Sequence, residues 1–159
     1  MAVTKARDAA RIALTAARLA ATERPRGGFT AAARAAAFAR VEEAGLPTKR
    51  DEYWRYTDPS ALTSTQVPEA AVFDAKEAQL FSGRDRVQLT FVDGVFDPAQ
   101  SDDPALAGVE IVRLAEADRV DIHWAKGLYG QLEARGQTPI RRPLAALNTA
   151  AATDGILIR

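Results

Sequence analysis

The chain has 159 residues, 47% hydrophobic and 26% charged, which is enough for one globular domain with its own core and excludes a disordered or fibrous protein. The absence of cysteine and the single histidine, His123, exclude disulfides, multi-histidine metal sites and cysteine-ligated iron–sulfur clusters within these residues. No apolar run approaches the roughly 20 residues that span a bilayer.

The formal net charge is zero, but the charges are unevenly distributed. Residues 1–50 carry ten basic and four acidic side chains, a net charge of +6, and the remaining residues carry −6. A basic helical arm can bind nucleic acid, but no nucleic-acid motif accompanies it. The simpler interpretation is that the arm contacts the acidic part of the chain or that its charges solvate an Ala-rich helix. The Arg-rich start also resembles a transit peptide in composition. However, Asp8 and the lack of a cleavage motif favour a cytoplasmic protein.

A first helix is predicted over residues 4–23, in an Ala-rich stretch that favours helix. At helical spacing, Arg7, Arg11 and Arg18 fall on one face. Ile12 and Leu19 fall on another side, which we expect to be the apolar one. Leu14 breaks this pattern because it falls near the arginine face, so the helix is only weakly amphipathic.

A second helix is predicted over residues 31–44, after a break at Gly27 and Gly28. Thr30 is its expected N-cap, and Phe38 and Val41, three positions apart, mark its buried side. Gly45 is a suitable C-terminal stop, and Pro47, two residues later, prevents the helix from resuming.

Residues 45–59, GLPTKRDEYWRYTDP, mix aromatic and charged side chains. The pattern is too polar for a core strand, so we expect a short helical turn that starts at Thr48 or Asp51 and carries Trp54 into the core. Alternatively, the aromatic and basic side chains of residues 49–56 stack on nucleotides, which requires exposed rings.

The clearest β signal covers residues 86–97, where apolar and polar residues alternate. Asp93-Gly94 predicts a type I′ hairpin turn, since both central positions of that turn need positive φ. A third short strand is predicted over residues 109–114.

Two further helices and one strand are predicted after it. The first helix covers residues 122–135, with a packing side formed by His123, Trp124, Leu128 and Leu132. The second covers residues 144–152. A turn at Asp154-Gly155 then leads into the strand ILIR, residues 156–159.

No catalytic constellation is recognisable, since phosphate-binding, nucleophile-elbow and zinc-protease motifs are all absent. Asp51 and Glu52 are adjacent, so their side chains diverge by about 100° in a helix and make no acid–base pair. No sequence feature places a nucleophile beside His123. A small-molecule enzyme that uses these three residues is therefore the least supported hypothesis, and we assign no catalytic, cofactor-binding or metal-binding residue.

Three segments resemble the SufD branch of the SufB/SufD family. Residues 45–59 match its N-terminal signature, residues 91–98 (FVDGVFDP) are similar to its hairpin, and residues 143–159 look like the entry into its next domain. The signature is carried in register by Gly45, Leu46, Pro47, Thr48, Lys49, Arg50, Glu52, Trp54, Tyr56 and Thr57. The third segment is carried by Leu147, Asn148, Asp154 and Gly155.

The resemblance implies an α+β fold: Ala-rich N-terminal helices, a small antiparallel β-hairpin or sheet, further helices, and a last strand that begins an absent right-handed parallel β-helix. Residues 1–142 would form the N-terminal domain, and residues 143–159 would start the β-helix core. It also implies a non-enzymatic scaffold subunit that assembles iron–sulfur clusters with a SufB-like subunit and a SufC-like ATPase. In the family, the ATPase docks on a C-terminal helical region, and cluster chemistry involves the β-helix. We therefore expect a structural or protein-interaction role here. We expect this chain to bind no cofactor and to associate with neither nucleic acid nor a membrane.

Overall fold

A computed structural model of the chain describes residues 2–66 and 83–159, with side chains in the first helix from Asp8 onward. These residues divide into two compact units, a helical unit (residues up to 66, and 118–152) and a β unit (residues 83–117 and 153–159). The elements in chain order are α1 (Ala2–Ala21), α2 (Ala31–Ala44), α3 (Ser60–Thr63), β1 (Thr90–Val92), β2 (Val95–Asp97), β3 (Ile111–Arg113), α4 (Leu114–Ala117), α5 (Gln131–Arg135), α6 (Pro143–Ala151) and β4 (Ile156–Ile158). The predicted α+β class with antiparallel pairing is confirmed.

The core of the helical unit lies between α2 and α6. Phe38 and Val41 of α2 pack with Leu147 of α6, and Leu46 joins them immediately after α2 ends. Burial of these apolar side chains is the main stabilising term, at about 25 cal/mol per Å² of area removed from water. Both helices and the buried side of α2 agree with the sequence prediction.

Helix α1 buries a different face from the predicted one. Leu19 is buried as expected, but Ile12 is 68% exposed. Leu14 packs against the core instead, and Thr15 is buried beside it. The predicted apolar side was wrong because the helix docks through the face that carries Arg11, whose guanidinium finds an acidic partner.

The start of α2 is fixed by a carboxylate 88 positions away. Thr30 occupies the predicted N-cap position, but its own hydroxyl caps no backbone N–H. Instead, the Asp118 carboxylate holds Thr30 in place. It accepts hydrogen bonds from the Thr30 backbone N–H at 3.0 Å and from the Thr30 hydroxyl at 2.6 Å. The Arg34 guanidinium contacts the same carboxylate at 3.3 Å, and both side chains of this ion pair are buried.

The chain before α2 pairs closely with the segment after Asp118. The Gly28 N–H donates to the Asp118 carbonyl at 2.7 Å, and the Phe29 N–H donates to the Val120 carbonyl at 2.8 Å. A Cβ on Gly28 would lie 2.3 Å from the Val120 carbonyl oxygen, closer than any real contact. The break at this glycine is therefore a close backbone approach.

The single helix predicted over residues 122–135 is wrong. A 3-10 helix covers Trp124–Gly127, and α5 follows after Gly130, whose φ is +74°. This left-handed residue interrupts helical hydrogen bonding, so the expected packing side does not form. Leu132 is 84% exposed, whereas His123 is half-buried and stacks on Phe29.

The β unit contains two antiparallel two-stranded sheets. Strand β1 pairs with β2 around Asp93 and Gly94, which both have positive φ, as the type I′ turn requires. Strand β3 pairs with β4, so the strand ILIR has its partner within this chain. Arg113 lies over the Phe96 ring and binds the carboxylate of Asp154.

The boundary between residues 142 and 143, as the start of a β-helix core, stays a prediction. No helix within residues 2–66 and 83–159 is both long enough and apolar enough to cross a membrane.

Candidate interaction surface

The signature segment begins with a buried half, residues 45–48. Gly45 ends α2 with φ +68° and donates its N–H to the Val41 carbonyl at 2.9 Å. Leu46 is fully buried, and its N–H donates to the hydroxyl oxygen of Thr15 on α1 at 2.9 Å. This half of the segment therefore anchors α1 to the end of α2.

An ion pair between Arg11 and Asp51 adds a second anchor. The Arg11 guanidinium reaches both carboxylate oxygens of Asp51, at 3.3 and 3.2 Å, and its Nη2 also lies 3.4 Å from the Gly45 carbonyl oxygen. Asp51 in turn accepts from the Thr48 N–H at 2.9 Å. Arg11, on the basic face of α1, thus contacts an acidic partner in the same unit, which is one of the two arrangements expected from the charge distribution.

The second half of the segment faces outward. The predicted turn exists as a 3-10 helix at Glu52–Trp54, preceded by Asp51. Its aromatic side chains are nevertheless accessible: Tyr53 is 57% and Tyr56 is 90% exposed. Trp54 is half-buried and lies outside the core cluster, so its predicted place in the core was wrong.

The exposed turn forms one wall of an open cleft of about 740 Å³, and residues 139–143 form the opposite wall. Pro139 and Ile140 supply apolar surface opposite Tyr53 and Trp54. Arg11 and Asp51 lie at its edge, where a second depression runs along Lys49 and Arg50. The cleft was not predicted, and the two prolines, Pro139 and Pro143, were its only visible signal.

Several charges border this surface. Arg55 lies 3.5 Å from Glu52, and Arg141 lies 2.6 Å from Glu43, both exposed pairs. The Ser60 backbone N–H and hydroxyl hold the pKa of nearby Asp58 below its ordinary value. Exposed pairs of this kind contribute little to stability, so they remain available to rearrange around a partner.

The three residues considered for catalysis, Asp51, Glu52 and His123, do not meet in one site. Asp51 is engaged by Arg11, and Glu52 is exposed beside Arg55. His123 does not line this cleft; its Nδ1 accepts the Ala125 N–H at 3.2 Å and its ring stacks on Phe29. Across the part of the chain that the structure describes, no group of three or more His, Asp or Glu side chains is arranged to hold a metal ion.

Most of the chain matches a known protein family. The family described as "SufBD protein N-terminal region" matches residues 14–159. The chain belongs to the SufB/SufD family. Comparisons with curated proteins and with solved structures each found no match. Membership of the SufB/SufD family connects the chain with iron–sulfur cluster assembly by the SUF system and with a complex of several subunits.

Proposed function

We propose that the chain is the N-terminal region of a SufD-type scaffold subunit of a cytoplasmic SUF complex, and that its role is structural and interactive. It catalyses no reaction and binds no cofactor of its own. The iron–sulfur cluster is the cargo of the whole complex, whose other members are a SufB-like subunit and a SufC-like ATPase. Residues 143–159 lead into the β-helix core.

The observation that carries this proposal is the division of the signature segment. Its first half anchors α1 to the end of α2, because Leu46 is fully buried and its N–H donates to the Thr15 hydroxyl oxygen. Its second half leaves Tyr53 and Tyr56 exposed to solvent. Tyrosine and tryptophan beside arginine are the side chains most enriched at the energetic centres of protein interfaces.

The side-chain chemistry agrees with a scaffold role. Cluster iron is held most often by cysteine thiolates, and this chain has no cysteine. We expect that anaerobic incubation of the purified chain with iron and sulfide yields no bound cluster and no visible charge-transfer absorption. A stable, stoichiometric cluster on this chain alone would contradict the proposal.

Association is tested with the full-length protein. Mixed with SufB-like and SufC-like subunits, it should elute from a sizing column as one complex that contains all three. A SufB-type protein would instead assemble with a SufD-like partner, so exchanging the two partners distinguishes the subtypes.

Nucleic-acid binding is the second candidate, because the exposure of Tyr53 and Tyr56 is what base stacking requires. The Tyr53 and Trp54 rings are inclined at 75°, however, and form no common platform. This candidate predicts binding of single-stranded probes that weakens steeply with salt, because phosphate contacts release counterions. Absence of binding at low salt would dispose of it.

A further inference from the structure

We propose that the two described segments in which the chain passes from one unit to the other open together, as a single conformational element controlled by Arg34 and Asp154. In the part of the chain that the structure describes, these segments lie within residues 114–118, the first connection, and residues 152–155, the second connection. Arg34 and Asp154 each bind both connections, and we call these two side chains the clasps. The inference does not depend on the proposed function.

Arg34 holds both connections from the helical unit. Its Nη2 lies 3.3 Å from the carboxylate of Asp118 in the first connection, and its Nη1 donates to the carbonyl of Ala152 in the second connection at 2.5 Å. Its third nitrogen, Nε, donates to the Thr30 hydroxyl at 2.7 Å. The Arg34 side chain is only 5% exposed, so losing one of these partners leaves a buried donor unsatisfied.

The shape of the guanidinium couples these contacts to one another. Its donors are fixed in one rigid plane, so Arg34 cannot move toward one partner without moving relative to the others. The negative charge of Asp118 also stabilises the buried positive charge of Arg34. The position of Ala152 therefore depends on Asp118 through the arginine between them.

Asp154 holds the same two connections from the β unit. It belongs to the second connection, and its Oδ1 accepts the backbone N–H of Ala115 in the first connection at 3.1 Å. Its Oδ2 accepts from the Arg113 guanidinium, with Nε at 3.0 Å. Beside it, the Leu114 N–H donates to the Gly155 carbonyl at 2.8 Å. The carboxylate therefore ties the two connections together a second time.

Very little chain separates the two clasps. Ala152 is held by Arg34, and Asp154 follows after one intervening residue, Thr153. Because a released residue regains only about 1–2 kcal/mol of backbone entropy, opening one clasp alone frees too little chain to offset the contacts that are lost. Opening both clasps frees two segments at once, so we expect one cooperative transition. An element with two discrete states is what a conformational response to a bound partner requires.

The test measures amide hydrogen exchange of the purified full chain by NMR. The Ala115 N–H is bound by Asp154, and the Ala152 N–H donates to the Asn148 carbonyl at 2.9 Å, so each amide reports on one connection. Arg34→Lys keeps the positive charge but replaces the rigid fork by one ammonium group, so it should weaken the first clasp. We expect exchange at both amides to accelerate by at least about tenfold and by similar factors, because one opening event exposes both.

Arg40→Lys is the matched control, because it makes the same substitution in α2 at an arginine whose partner, Glu133, lies outside both connections. It should leave the exchange rates of Ala115 and Ala152 within about twofold of wild type. If Arg34→Lys does not fold, Asp154→Asn tests the same coupling from the other side. That variant should also accelerate exchange at Ala152, whose N–H Asp154 does not bind.

Three results would overturn the proposal. In the first, the variant at either clasp accelerates exchange at one of the two amides and leaves the other as in wild type. In the second, neither amide responds to the loss of a clasp. In the third, Arg40→Lys accelerates both amides as much as Arg34→Lys does, which would make the effect a general loss of stability.

Discussion

The carboxylate of Asp118 and the guanidinium of Arg34, 84 positions apart, form a buried ion pair with a closest N–O distance of 3.3 Å. The same carboxylate caps the start of α2 through Thr30. Arg34 also donates to the Ala152 carbonyl at 2.5 Å, which ties the chain just after α6 to α2. This network therefore links three distant segments of the helical unit.

Removing Asp118 should destabilise the helical unit strongly. Asp118→Ala leaves the Arg34 charge buried without its partner, a loss of about 3–5 kcal/mol for broken buried ion pairs. Asp118→Asn keeps an oxygen acceptor for Thr30 and should cost less. Chemical denaturation monitored by circular dichroism measures the free energy of unfolding. Asp121→Ala, on an exposed side chain nearby, is the control and should change it by less than about 0.5 kcal/mol.

Gly28→Ala should lower stability because the new Cβ meets backbone atoms of Val120 and Asp118. The expected loss is about 1–3 kcal/mol, the usual range for overpacking, since backbone cannot move aside as a side chain can. Gly127→Ala is a matched control, because its Cβ would meet no atom within 4 Å and its φ is not positive. Equal melting temperatures for the two variants would show that the close approach at Gly28 is absent in solution.

Thr15→Val tests the anchoring half of the signature segment. The substitution keeps the shape of the side chain but removes the oxygen that accepts the buried Leu46 N–H. An unsatisfied buried donor costs about 1–3 kcal/mol, so the variant should unfold at lower denaturant concentration. Thr15→Ser retains the hydroxyl and should fall between wild type and Thr15→Val. A Thr15→Val variant as stable as wild type would remove Thr15 from the account of the anchor.

Asp154 should make stability depend on pH in the acid range. Burial acts to raise the pKa of Asp154, but hydrogen bonds from the Arg113 side chain and the Gly155 and Ala115 backbone outweigh it, so the pKa lies below its ordinary value of 3.8. Asp154 therefore contributes stability above the unfolded pKa, and this contribution is lost as pH falls through the lower folded pKa. Melting temperatures of wild type and Asp154→Asn should differ most above about pH 5, and the difference should shrink as pH falls through the lowered pKa of folded Asp154. A difference that stays constant with pH would contradict the assignment.

Local sequence rules predicted the elements whose signals are local. The C-terminal end of α2 follows from Gly45, and the hairpin follows from Asp93-Gly94, because helix termination and turn geometry depend on neighbouring residues. Residues 45–59 also indicated the SufB/SufD family, and the family comparison confirmed membership of that family.

The long-range partners were not predictable in the same way. Nothing near Arg11 in the sequence identifies Asp51 as its partner, and the face that α1 buries depends on that pairing. Similarly, Trp54 was expected in the core from its residue type, whereas it lies on one wall of the cleft, and the opposite wall comes from residues 139–143, far away in the sequence. The cleft is formed by residues 52–54 together with residues 139–143, so neither segment alone predicts it.

Co-purification of the tagged full-length protein from cells that express SufB-like and SufC-like subunits tests the central claim most directly. The account predicts that both subunits are retained in fixed proportion with wild-type protein, and that an unrelated tagged protein retains neither. Retention of neither subunit by the wild-type protein would contradict a scaffold role in this assembly system.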